Sequence, residues 1–121
     1  MIGDAAICTF MTATSPQMDA LHARYARSLA SKHAALLEAW RAFAAAKDDA
    51  SARKLHGLVH RLAGSAPTYG YASLGLLARK ADHAFAHGGA DLAAHLKEPI
   101  EALLDELARQ AQKTEAGRAR L

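Results

Sequence analysis

A chain of 121 residues, 51% hydrophobic but only 6% aromatic, has the size of one domain with a core of Ala and Leu rather than large rings. Three Pro, eight Gly and the absence of long β-branched runs exclude a turn-rich β fold. A formal charge of +3 lacks the dense basic face of a nucleic-acid binder, the single Cys8 excludes an internal disulfide framework and fits a reducing compartment, and no apolar run has membrane-spanning length.

Residues 1–14 read as an arm whose Ile7, Phe10 and Met11 can dock on the rest. Met1-Ile2-Gly3-Asp4 has no basic leader, so the expected location is cytoplasmic. Ser15-Pro16 predicts a helix start, with Ser as N-cap and Pro in the first turn. From Gln17 to about Lys47, Leu21, Tyr25, Leu29, Leu36 or Leu37, Trp40 and Phe43 recur mostly at three- and four-residue steps. Ser31-Lys32-His33 interrupts that stripe, which predicts two helices or one bent one. Asp48 and Asp49 offer a cap for a helix over about 49–66. Pro67 cannot supply the N–H that would continue it, and Gly70 suits the following turn.

A further helix is expected from Ala72 to His87, with Leu74, Leu77, Ala78, Ala81 and Phe85 as its stripe and Gly88-Gly89 ending it. Asp91 is then placed to cap a last helix through Leu92, Leu96, Ile100, Leu103, Leu107 and Ala111 towards residue 115, bent by Pro99. Four amphipathic helices with short connections predict an all-α, antiparallel four-helix bundle over residues 15–116, with a short N-terminal extension and a frayed tail at 117–121.

The middle of the chain carries the chemistry. On a helix turning about 100° per residue, Ala52, Leu55, Val59, Leu62 and Ala66 share one face, and His60 lies roughly 130° from its centre, facing solvent or a groove. Gly57 and Gly64, three before and four after, are its surface neighbours and have no side chain to cover the ring. Each helical glycine costs roughly 0.5–1 kcal/mol relative to alanine. Two of them beside one exposed histidine imply that something must come close to it.

His60-Arg61-Leu62-Ala63-Gly64-Ser65-Ala66, then Tyr69-Gly70, then Leu74, Leu77 and Ala78, resembles the signature of the histidine-containing phosphotransfer (HPt) family of multistep phosphorelays. The match covers about a quarter of the chain. The resemblance implies a four-helix bundle, in keeping with the pattern above. It also implies one phosphorylatable histidine, His60, and a partner, the receiver domain of a response regulator or hybrid histidine kinase. In the family's division of labour the receiver supplies the metal (Mg²⁺), the acidic pocket and a lysine, so no cofactor is expected on this chain, and a monomer is the usual state. The expected function is phosphocarriage in signal transduction: His60 accepts a phosphoryl group from a receiver aspartyl phosphate and passes it to another receiver. The sequence departs from the family at Ala63, where a lysine is usual.

The HPt side needs only a neutral imidazole nitrogen, which an imidazole of ordinary pKa provides at cellular pH. No Gly-rich nucleotide loop and no second domain accompany it, so autokinase activity, and enzyme activity in that sense, is not expected. Asp82, on a flank of its helix, falls where the family often has an acidic or amide residue; it either orients the imidazole or is an ordinary solvated helix carboxylate. His56, Gly57, Arg61, Ala63, Gly64, Ser65 and Arg79 form the expected partner-binding set. Arg53, Lys54 and Lys80 extend a basic rim suited to an acidic receiver site, or are ordinary solvated charge. The pairs His56/His60 and His83/His87 have the i, i+4 spacing of metal ligands but no third ligand nearby in sequence, so no metal site is assigned. The competing reading of the whole pattern is a helical adaptor that binds a signalling partner without phosphorylation.

Overall fold

The computed structural model describes residues 16–119, with side chains described as far as residue 115. The expectations for Cys8, for the arm at 1–14 and for the Ser15 cap lie outside these residues. Four helices account for nearly all of the described chain: α1 (Pro16–Ala46), α2 (Asp49–Ser65), α3 (Ala72–His87) and α4 (Leu92–Ala119), with short 3-10 turns at Pro67–Tyr69 and Gly89–Asp91. No strand occurs among the described residues, so the fold is an all-α four-helix bundle.

α1 is one uninterrupted helix of 31 residues, not two. Its buried residues Tyr25, Leu29, Leu36, Ala39 and Phe43 keep a heptad-like spacing, and the gap falls at Lys32. Lys32 fills that turn with its stem. Its Nζ donates to Ser28 Oγ at 2.7 Å and lies 4.7 Å from the centre of the Tyr25 ring. A lysine whose aliphatic stem covers apolar surface replaces a core residue without breaking the helix. Desolvation by burial lowers its pKa.

Lys47, in the left-handed region at φ 53°, ends α1. Asp48 then caps α2, its Oδ1 accepting the Ser51 N–H at 2.9 Å. At the other end of α2 the chain turns through Pro67–Tyr69 and leaves by Gly70 at φ 90°, a conformation that favours glycine. α3 keeps the expected limits. Asp91 belongs to the 3-10 turn that leads into α4. α4 runs through Pro99 as continuous helix, and its backbone stays helical over 117–119.

Each helix packs on the next, and α4 closes on α1. Leu29, Leu55, Val59, Leu74, Leu96, Ile100, Leu103 and Leu107 are fully buried in the centre. Trp40 and Phe85 lie half-buried against this core, and Phe43 is buried in it. Glu106, buried at the middle of α4, accepts from Gln110 Nε2 at 2.8 Å and from Arg109 Nε at 3.0 Å. No helix among the described residues is long and apolar enough to cross a membrane.

Gly75 fixes how α3 meets the turn after α2. A Cβ built on it would lie 2.5 Å from Pro67 Cγ and 2.9 Å from Cδ, atoms of a ring that cannot swing aside. Gly75→Ala is expected to destabilise the protein by about 1–3 kcal/mol through overpacking. Denaturant unfolding measures it, and an unchanged midpoint would contradict the close packing.

Candidate functional site

α2 carries the site because its sequence separates two faces cleanly. Leu55, Val59, Leu62 and Ala66 point into the core, with Ala52 half-buried beside them. His60 points outward, its side chain 73% exposed. Nothing lies within 4 Å of a Cβ built on Gly57 or Gly64. Neither glycine is required by packing or by backbone conformation, so the bare surface beside His60 is not a consequence of folding.

From α3, Asp82 reaches across to α2. Its Oδ2 accepts from His60 Nδ1 at 3.3 Å, and its Oδ1 accepts from His56 Nε2 at 2.6 Å. A carboxylate only accepts, so each of these nitrogens carries the proton. His60 is therefore held as the Nδ1–H tautomer, which leaves the Nε2 lone pair free. The two imidazoles are 6.2 Å apart, edge to face, and His56 stacks on Phe85 with 4.4 Å between ring centres.

Burial pushes the Asp82 carboxyl up, but hydrogen bonds from His56 and His60, and the charge of the two rings in their protonated forms, outweigh it, and its pKa lies below the ordinary carboxylate value. A carboxyl depressed by folding stabilises the protein above its unfolded value near 4, and that contribution disappears as pH falls through the folded value. The stability difference between wild type and Asp82→Asn is expected to shrink from about pH 4 downward. Thermal unfolding across pH 3–7 reads it, and a difference independent of pH would sink the attribution.

An open groove holds these groups together, lined by Ala52, Arg53, His56, His60, Asp82, His83, Phe85 and Ala86. Of the expected basic rim, Arg53 alone lines this groove. Lys54, Arg79 and Lys80 are exposed elsewhere on α2 and α3. Arg61 and Ser65 line a separate cleft of 610 Å³ between α1 and α2, with Tyr25, Lys32, Leu58 and Tyr69 among its walls. There Ser65 Oγ and Tyr25 Oη share a hydrogen bond of 2.8 Å, and Tyr69 stacks on Tyr25 at 4.4 Å. Ser65 thus ties α2 to α1, a contact without a signal in the sequence. Ala63 is half-buried against the core, so no charged side chain stands three residues after His60.

The His83 and His87 rings sit 4.2 Å apart, and no set of three or more metal-ligating side chains is assembled among the described residues. The His56–Asp82 contact and the stacking of His56 on Phe85 were not readable from spacing alone. The i−4 position of His56 relative to His60 was the only hint. Searches of family models, curated proteins and solved structures return no match to this chain.

Proposed function

We propose that this chain is a histidine phosphocarrier of the HPt type, with His60 Nε2 as the atom that takes the phosphoryl group. The observation that carries this reading is the pairing of an exposed imidazole, hydrogen-bonded through Nδ1 to Asp82, with two adjacent helical glycines that leave its approach open. The His60 signature motif and its likeness to the HPt family support the same reading.

Phosphoryl transfer proceeds through a loose transition state, so an acceptor contributes position and charge rather than bond-making machinery. The Nε2 lone pair forms the new N–P bond as the bond between phosphorus and the receiver's aspartyl oxygen breaks. The electron pair stays on the receiver's carboxylate. The His60 ring, still protonated at Nδ1, gains positive charge as this happens, and Asp82 faces that proton with a negative one. Stabilisation of developing charge by a fixed group needs no reorganisation at the moment of reaction. Return of the phosphoryl group to a second receiver reverses these steps.

The test is transfer itself. A panel of receiver domains, each phosphorylated on its aspartate, is incubated with the chain, and label that is lost in acid but survives alkali is followed. Label on this chain is expected with at least one receiver. Its absence with all of them would replace this reading by that of an adaptor.

A further inference from the structure

Asp82 is shared by two imidazoles, and the shorter of its two bonds does not go to the proposed acceptor. His56 Nε2 stands 2.6 Å from Oδ1, while His60 Nδ1 stands 3.3 Å from Oδ2. Both rings lie on α2, one helical turn apart, and the carboxylate comes from α3. His56 is itself immobilised: one face stacks on Phe85, also from α3, with the planes inclined by 22°. Asp82 is only 29% exposed, and the described hydrogen bonds of its two oxygens are those to the two histidines. An aspartate has few rotamers, and one tight bond to a fixed donor selects among them. With Oδ1 pinned by His56, Oδ2 is left aimed at His60.

We infer that His56 is a positioning residue for phosphoryl transfer at His60, acting through Asp82. This rests on the phosphocarrier reading of His60. Its work is to hold the carboxylate in the rotamer that keeps the His60 proton on Nδ1. Without it, Asp82 is free to turn towards water, the His60 ring populates its Nε2–H tautomer, and that fraction of molecules presents no lone pair at Nε2.

Three variants separate positioning from packing. His56→Phe retains a ring to stack on Phe85 but has no N–H. His56→Gln retains an N–H donor without the ring. His56→Ala removes both. Nitrogen-15 NMR of the His60 ring, carried to the alkaline end of the pH range, reports its tautomer without any phosphoryl donor. The wild type is expected to be mainly Nδ1–H. His56→Phe and His56→Ala are expected to move towards the Nε2–H form and to accept phosphoryl groups about tenfold more slowly, the scale on which partners that orient a ligand act. His56→Gln is expected to recover the wild-type tautomer and most of the rate.

A wild-type tautomer in His56→Phe and His56→Ala would overturn the inference even if transfer to His60 occurs. A tautomer shift in a protein that takes no label would uphold the positioning and remove the phosphocarrier reading alone.

Discussion

His60→Gln is expected to take no phosphoryl label from any receiver that labels the wild type. Glutamine is close to histidine in reach but has no ring nitrogen with a lone pair, so the N–P bond cannot form. The substitution sits on an exposed face of α2 and removes one hydrogen bond to Asp82, so its effect on stability is expected to be about 1 kcal/mol or less. Loss of label with a melting temperature near that of the wild type therefore reports chemistry and not unfolding.

The chain has seven histidines, so the site must be distinguished from its neighbours. His56 is the nearest rival to His60, but its Nε2 is engaged by Asp82 at 2.6 Å and its ring is stacked on Phe85. Its remaining nitrogen, Nδ1, belongs to a ring about half as exposed as a free side chain, against 73% for His60. His56→Gln should accordingly retain label where His60→Gln has none. Label that persists in His60→Gln would assign the chemistry to another histidine, with His56 the next to test.

The parts of this fold that the sequence announced are those governed by local chemistry. Asp48 before Ser51, Pro67 with Gly70, and Gly88-Gly89 each act within one turn of chain, and the limits of α2 and α3 followed from them. Apolar spacing placed Leu55, Val59 and Leu62 in the core, and with them the outward direction of His60. What could not be read depends on partners distant in sequence. Ser31-Lys32-His33 looked like a break in α1 because a charged residue occupied a core position. Only the Tyr25 ring and Ser28 hydroxyl around Lys32 reveal why the helix continues. The Ser65–Tyr25 bond spans 40 residues, and the contact of Gly75 with Pro67 depends on how α3 is docked.

The candidate site divides in the same way. The neighbours of His60 along α2 were legible from helical periodicity, and Asp82 was placed near it by its offset from the motif. That Asp82 also holds His56, and holds it more closely, depends on side-chain rotamers that spacing does not encode. The basic rim, inferred from composition along α2 and α3, is divided by the geometry: Arg53 lies in the groove of His60, and Arg61 in the cleft on the α1 side.

Gly64→Leu is expected to leave the fold at least as stable as the wild type while reducing transfer to His60 by about 100-fold, the scale associated with a misplacement of about 1 Å between reacting groups. Leucine is a strong helix former and glycine a poor one, worth about 0.5–1 kcal/mol in favour of the variant. Nothing within 4 Å opposes a Cβ at this position, and the residue is exposed, so no packing cost offsets that gain. A helical side chain leans towards the N-terminus and covers the turn before its own Cα, so the leucine at position 64 would lie over His60. On the phosphocarrier reading, the receiver's acyl phosphate must bring phosphorus to about 3–3.5 Å from Nε2, and the added isobutyl group occupies that approach. Gly64→Ala, adding one methyl group, should show the stability gain with a much smaller loss of rate. Opposite movements of stability and transfer would identify the glycine as a docking requirement rather than a structural one. Wild-type transfer by Gly64→Leu would mean that the partner does not approach across this face, and the open surface beside His60 would lose its functional explanation.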